Sequence, residues 1–447
     1  MSFDTVLVAN RGEIASRVIE ACRELGLRSI AVYSEADEAM PYLQLADGAV
    51  CIGPPEAAKS YSNPAALMSV AELVGAGALH PGYGFLAENP DFVEICEEHQ
   101  IRFIGPSKQA MRIVGDKTLA RDCVAQAGVP VLPGGTAPKK PEDAFAMAEA
   151  IGYPLLVKSV FGGGGRGLRW VESADELVAA LGAAAGEARA AAGEAGLYLE
   201  KAVMGPRHIE VQVLADERGR AIALGERDCS IQRRHQKLIE ETPAPRLDPN
   251  LRTRLQRAAL AALHAVNYTN AGTVEFVVAP DGNFYFIEMN ARIQVEHSVT
   301  EVATGLNLVK EQIRIAAGAS APLDFEALQP RGHTIECRLN AEDPARGFLP
   351  STGTLHVEEL PGGHGIRLDT AIYDGMPVTP YYDSLVAKLI AWGEDREEAR
   401  LRMIGALKRF RVSGVATTRD LSLRVLSHAA FRDAELSTAF LEKTGLA

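Results

Sequence analysis

At 447 residues the chain exceeds what one hydrophobic core ordinarily holds, so two or three domains are expected. Its 47% hydrophobic content permits substantial burial, and 46 basic against 58 acidic residues give a net charge of −12. That balance excludes a general affinity for nucleic acid or an anionic membrane, so any polyanionic ligand must be drawn by a local basic cluster. The six cysteines, at 22, 51, 96, 123, 229 and 337, form no C-x-x-C pair, which argues against a zinc site or a disulfide framework and fits a reducing cytoplasm. The start Met1-Ser2-Phe3-Asp4 carries no basic region followed by an apolar run, and no apolar stretch is long enough to span a bilayer. A soluble, cytoplasmic protein is expected.

Residues 5–9 read as an apolar strand, and Asn10 with Glu13 three positions later predicts a capping box that opens a helix. Ile14, Val18, Cys22 and Leu25 recur on one face of that helix, and Gly26 ends it. With 29–33, 49–52, 76–79 and 102–104 as further strands, the first 113 residues predict an open α/β layer. Ligands gather at loops leaving the carboxyl edge of such a sheet, and His80-Pro81-Gly82-Tyr83-Gly84-Phe85 is such a loop. A glycine-rich turn with a packed aromatic pair accounts for the same residues without a ligand.

Around Gly115-Asp116-Lys117 the pattern changes to a helix, then a Pro/Gly-rich connection at 129–135. Apolar residues 154–157 lead into Lys158, and Phe161 precedes Gly162-Gly163-Gly164-Gly165-Arg166-Gly167. Consecutive glycines let backbone N–H groups close on an anion, and Lys158 and Lys117 supply charge suited to phosphate. No Gly-Lys-Ser/Thr follows, so this is not a Walker loop, and a flexible linker is the alternative. The Ala/Gly/Glu-rich stretch 175–196 has few large side chains and reads as a lightly packed helix of a mobile lid. Beyond it, Glu200 and the backbone just after it are placed to accept hydrogen bonds from an adenine amino group, and 207–213 alternates like a strand. Residues 226–237 hold the densest basic cluster in an acidic chain. His and Gln interleaved with Arg and Lys suit phosphate or bicarbonate, unless the run is a solvated charged face. Cys229, with no base assignable to it, reads as buried filler.

The segment Glu288-Met289-Asn290-Ala291-Arg292-Ile293-Gln294-Val295-Glu296-His297 concentrates functional groups. Read as extended chain, it lines Glu288, Asn290, Arg292, Gln294 and Glu296 along one side. Upstream, 273–278 reads as a strand and Pro280-Asp281-Gly282-Asn283 as a hairpin turn. An even-membered loop there sets Glu275 directly opposite Glu288, with Cβ atoms about 4.5–5.5 Å apart. Like charges so placed repel. A divalent cation between them turns repulsion into binding, and oxygen donors with Asn290 alongside suit Mg²⁺ or Mn²⁺ better than zinc. A surface hairpin with solvated glutamates is the alternative, and a three-residue loop with a bulge would break the pairing. In 334–340 Arg338 lies opposite the apolar Ile335, Cys337 and Leu339, so it faces solvent or a cleft.

Asn10-Arg11-Gly12-Glu13-Ile14-Ala15, His80 to Phe85, the Lys158 to Gly167 loop, Arg227 to Lys237 and Ile287 to His297, in order and over essentially the whole chain, resemble biotin carboxylase of the ATP-grasp superfamily. The resemblance implies an α/β fold with a Rossmann-like open-sheet domain at 1–113, an ATP-grasp region at 114–330 with a mobile lid at 131–203, and a mixed α+β domain at 331–447. It implies a ligase that makes carboxybiotin from ATP, bicarbonate and biotin on a carrier protein, through carboxyphosphate, as the first half-reaction of an acyl-CoA or related carboxylase. Carried onto this sequence, Lys117, Lys158, Gly164, Gly165, Glu200, Lys201, Val203, His208, Gln232 and His235 hold ATP. Glu275, Glu288 and Asn290 hold Mg²⁺ or Mn²⁺, and Lys237, Arg292, Gln294, Val295 and Arg338 surround bicarbonate. Glu296 is the base, and Arg338 stabilises the enolate-like oxygen of biotin. A biotin carboxyl carrier and a carboxyltransferase are the implied partners, and a homodimer the implied assembly.

Phe161 stands where the family commonly has another glycine, Ala291 and Ser298 replace Thr and Pro, and the 277–283 turn is one residue longer. No Met-Lys-Met occurs, so a free-standing subunit or a fragment cut before its carrier is expected. Another ATP-grasp ligase, of carboxylate-amine or carbamoyl-phosphate type, would share Lys117, Lys158, Glu275 and Glu288 but has no reason to keep Arg292, Val295, Glu296 and Arg338. An inactive scaffold would have no reason to keep the carboxylates and lysines together.

Overall fold

The computed structural model describes residues 2–446 except 139, 160–167, 193–195, 322–327 and 329. Five short strands near the N-terminus form a parallel sheet in the order Gly48–Cys51, Arg28–Tyr33, Thr5–Val8, Ala78–His80, Arg102–Phe103. Ile14, Val18 and Cys22 bury one face of the helix Gly12–Glu24, as their spacing predicts. The capping box does not form: Arg11 occupies the N-cap, and no side chain caps the helix. Asn10 Nδ2 instead donates to the carbonyls of Pro81 (2.7 Å) and Tyr83 (2.8 Å), and Glu13 accepts from the Tyr83 hydroxyl. Both side chains leave the sheet at its carboxyl edge beside the 80–85 loop, and these long-range contacts displace the local cap.

The middle of the chain builds an antiparallel sheet of eight strands. Their order is Phe284–Asn290, Asn270–Val278, Arg207–Ala215, Ala221–Arg233, Gln236–Thr242, His333–Asn340, Leu385–Gly393 and Ile366–Thr370. The sheet runs without a break across position 330, because Gln236–Thr242 pairs directly with His333–Asn340. Groups from both halves of the chain therefore share one face. The other face of His333–Asn340 packs on the helices Arg396–Arg409 and Arg419–Ser427. Four strands, Gly134–Thr136, Leu197–Lys201, Leu155–Ser159 and Arg169–Val171, make a separate small sheet with the helices Pro141–Ile151 and Ala174–Ala192. Among the described residues its core is slight, with Leu177 and Ala184 as buried anchors on the long helix and Leu155, Val157, Val171 and Leu199 in the same cluster. Among the described residues no helix is long and apolar enough to cross a membrane.

Glu241 fastens the junction between the two halves. Its carboxylate accepts from His333 Nε2 (2.7 Å), Arg396 Nε (2.7 Å) and Arg396 Nη2 (3.0 Å). Burial pushes this carboxyl up, but the donors outweigh it and hold it at about 2. A depressed carboxyl stabilises the fold above its unfolded value and loses that contribution as pH falls toward the folded value. Urea titrations are therefore expected to show wild type losing about 3 kcal/mol from this group between about pH 4.5 and about pH 2. Glu241→Gln is expected to be less stable at neutral pH with a shallower acid slope, and parallel slopes would refute the assignment.

Candidate active site

The hairpin that carries the two acidic residues reaches the expected pairing by an unexpected route. Glu275 lies opposite Glu288, and Thr273 opposite Asn290, but Phe276 pairs with Phe286. The turn is a three-residue loop, not an even-membered one: Ala279 N–H donates to the Asn283 carbonyl (2.8 Å), and Gly282 closes the loop with φ +83°. That loop shifts the register by one. An irregularity between Glu275 and Phe276, with Ile287 as the additional residue, shifts it back.

Burial and the facing charge of Glu275 push the Glu288 carboxyl up, while its nearest cation, Lys117 Nζ, stands 3.7 Å away. Glu275 Oε1 accepts from Asn290 Nδ2 (2.8 Å), Gln294 Nε2 (3.0 Å) and Lys237 Nζ (2.9 Å), and His208 Nε2 lies 2.9 Å from Oε2. Two opposed carboxylates and an amide form a hard-oxygen set, so Glu275, Glu288 and Asn290 fit Mg²⁺ or Mn²⁺.

Beyond Asn290 the chain leaves the strand, so the one-sided alternation expected for 288–296 does not continue. A turn brings the same groups inward. Arg292 Nη1 donates to Gln294 Oε1 (2.8 Å), and Glu296 sits at the N-cap of His297–Thr304. Glu296 Oε1 accepts from Lys237 Nζ (2.7 Å) and Oε2 from Arg338 Nη2 (2.7 Å). Burial opposes ionisation of Glu296, yet Lys237, Arg338 and Arg227 hold its pKa well below the usual carboxylate range. Lys237 also donates to Glu210 Oε2 (2.6 Å), and these three carboxylates keep the ammonium strongly protonated against burial. Of the two settings open to Arg338, the structure selects the cleft: its side chain is 14% exposed and its Nε donates to Glu240 Oε1 (2.6 Å). The Val295 carbonyl is held by Lys388 Nζ at 2.9 Å.

The remaining basic groups come from three strands, a helix and a turn. Lys117 begins the helix Lys117–Gln126, capped by Asp116. Lys158, on Leu155–Ser159, contacts the Glu200 carboxylate, which also accepts from Arg121 Nη1 (3.4 Å). The Lys201 ammonium donates to the carbonyls of Gly152 (3.1 Å) and Tyr153 (2.7 Å), so that side chain braces the small sheet. Val203 follows this strand on a half-buried connection. Gln232 Nε2 approaches His208 Nδ1 (3.4 Å), and burial together with Lys158 and His208 lowers the His235 pKa, which brings these four groups to one place. Gly164 and Gly165 lie outside the described residues. The 226–237 run is not one basic face: Arg227 is fully buried, whereas Arg234 and His235 form the turn between two strands with φ +46° and +67°.

Three site residues, Glu210, Glu240 and Glu88, escaped sequence reasoning. Glu210 is fully buried between Lys237 and Arg227, and Arg227 also donates to Gln212 (2.7 Å), Thr300 (2.9 Å) and Thr273 (3.1 Å). The alternation His208, Glu210, Gln212 was the available signal for Glu210. Glu88 accepts from Ala291 N–H (3.1 Å) and Arg292 Nε (3.0 Å), a contact across 204 positions that leaves no local trace.

Family models match residues 2–111 as the biotin carboxylase N-terminal domain, 116–324 as the carbamoyl-phosphate synthase L chain ATP-binding domain, and 336–443 as the biotin carboxylase C-terminal domain. The biotin carboxylase of Nostoc sp. is 50% identical over 444 residues, 99% of either chain. Biotin carboxylase 1 of Bacillus subtilis is 49% identical over 439 residues, 98% of either chain. The biotin carboxylase domain dimer of Hydrogenobacter thermophilus 2-oxoglutarate carboxylase, solved with MgADP, ADP and bicarbonate, superposes with a TM-score of 0.96 at 47% identity, covering 100% of this chain and 98% of that one. Matches of this extent, over a pocket of facing carboxylates and converging cations, establish that the chain belongs to the biotin carboxylase family.

Proposed function

We infer that the chain uses ATP and bicarbonate to carboxylate biotin carried on a partner protein, the first half-reaction of a biotin-dependent carboxylase. The observation that carries this reading is the placement of Glu296 between Lys237 and Arg338, adjoining the Glu275–Glu288 pair. Lys117, Lys158, Glu200, Lys201, Val203, His208, Gln232 and His235, with Gly164 and Gly165, hold the nucleotide. Mg²⁺ held by Glu275, Glu288 and Asn290 supplies charge neutralisation to the phosphates when bound. Lys237, Arg292, Gln294, Arg338 and the Val295 backbone hold bicarbonate, and Glu296 takes its proton. The oxygen so freed attacks the γ-phosphorus, ADP leaves, and carboxyphosphate results. Carboxyphosphate breaks down to carbon dioxide and phosphate, the phosphate accepts the ureido N–H proton of biotin, and Arg338 faces the negative oxygen that forms. The nitrogen then attacks carbon dioxide.

The small sheet within 131–203 acts as the lid of the 114–330 ATP-grasp region, which lies between the 1–113 and 331–447 units. A carrier and a carboxyltransferase complete the reaction, and the chain pairs with a second copy, as the Hydrogenobacter domain does. ADP release is expected to require bicarbonate and to rise with free biotin. ADP formed only with an amine acceptor would identify a different ATP-grasp ligase, and none with any acceptor a scaffold.

A further inference from the structure

Two carboxyl groups outside this set are buried and short of partners. Glu240, on Gln236–Thr242, and Glu336, on His333–Asn340, are direct cross-strand partners, and neither exposes surface. Glu240 Oε1 accepts from Arg338, but Glu240 Oε2 and both Glu336 oxygens have no hydrogen-bond partner among the described residues. The charged groups around Glu336 are Arg338 on its own strand, Glu240 on one neighbouring strand, Lys388 on the other, and Glu296 at the head of the helix above. Glu240 faces Arg338, Glu296 and Lys237. Lys388 is engaged elsewhere, with Val295 O at 2.9 Å, Glu13 Oε1 at 3.1 Å and Asp369 Oδ2 at 3.6 Å. The opposite face of the Glu336 strand, where Cys337 lies, meets the helices Arg396–Arg409 and Arg419–Ser427.

An ionised carboxylate with free oxygens is costly in a protein interior, and two carboxyls side by side resist double ionisation. We propose that Glu240 and Glu336 share one proton at neutral pH and act together as a positioning unit that keeps Arg338 aimed at Glu296 and the reacting groups. The proton on Glu336 is donated toward the free oxygen of Glu240, so the pair presents one negative charge to the guanidinium. Loss of that proton places a second charge behind Arg338 and draws it back against the sheet. Burial, against the pull of Arg338, pushes Glu240 up to about 7, and burial pushes Glu336 well above the carboxylate range, in keeping with a shared proton. The inference rests on the role given to Arg338 above.

The test pairs infrared spectroscopy with pH–rate profiles on the full chain. At neutral pH the wild type is expected to show the carbonyl stretch of a buried carboxylic acid, absent from Glu336→Gln. The same substitution is expected to move the alkaline limb of kcat upward by about one pH unit or more, with KM for ATP changed less than about twofold. If Glu336→Gln does not fold, Glu240→Gln reports on the same proton. A wild type without the acid band, or a band that survives both substitutions, overturns the shared proton. A uniform fall in kcat with an unmoved limb overturns the positioning role and marks Glu336 as structural. A wrong role for Arg338 would leave the band intact and remove only the kinetic shift.

Discussion

Lys237→Met is expected to lower bicarbonate-dependent ATP turnover by roughly 10²- to 10³-fold, equivalent to about 3–4 kcal/mol in the barrier. The ammonium is the common donor to Glu210, Glu275 and Glu296, at 2.6, 2.9 and 2.7 Å. Methionine fills the volume but leaves three carboxylates facing one another, which must take up protons or move apart. An entering anion then meets net negative charge where it met a cation. Lys117 and Lys158, the proposed nucleotide contacts, lie outside this set, so KM for ATP is expected to change far less than KM for bicarbonate. Mg²⁺ affinity is expected to hold or tighten, because Glu275 loses a competing cation. Steady-state kinetics with each substrate varied separately decide the matter, and an equal loss toward ATP and bicarbonate would move Lys237 to the nucleotide.

The sequence exposed those parts of the site that depend on local pattern. Asp281-Gly282 announces a turn, and strand alternation on either side brings Glu275 and Glu288 near each other. Their facing pair came right although the loop length was wrong, because the bulge at Ile287 undid the shift, and nothing in a two-residue period signals a bulge. The convergence of Arg292, Gln294 and Glu296 was read as strand alternation but arises from a turn that ends in a helix cap. The Asn10–Glu13 spacing fits a capping box equally well, and only the nearness of the 80–85 loop decides otherwise. Arg338 was legible as a polar position, but its cleft was not. That cleft exists because residues 236–242 and 333–340 pair, and their partnership lies beyond any local window. Glu210, Glu240 and Glu88 were missed for the same reason. Each looks like an ordinary surface acid until a cation from a distant strand or loop is set beside it.

Glu296→Gln is expected to retain ATP binding and to lose bicarbonate-dependent turnover by about 10²- to 10⁴-fold, the usual worth of a positioned general base. The amide preserves shape, but its single oxygen can accept from only one of Lys237 and Arg338 while its NH2 faces the other, so the loss reports the proton-accepting function together with one broken hydrogen bond. In the free protein Glu296 is a poor base, because despite burial Lys237, Arg338 and Arg227 hold it well below the ordinary carboxylate range. A bicarbonate held as proposed would compete for the same Lys237 and Arg338 donors, and each donor it captured would raise the Glu296 pKa toward a useful value. On that proposal the anion activates its own base. The two pH profiles should therefore differ: kcat/KM, counted per bicarbonate ion, reports the free protein and should show no Glu296 limb near neutrality, whereas kcat reports the complex and should carry an acid limb at higher pH. Glu296→Gln should abolish that limb along with the rate. An acid limb at the same pH in both profiles would mean that bicarbonate leaves the donors in place, and full turnover in Glu296→Gln would move the base to another residue.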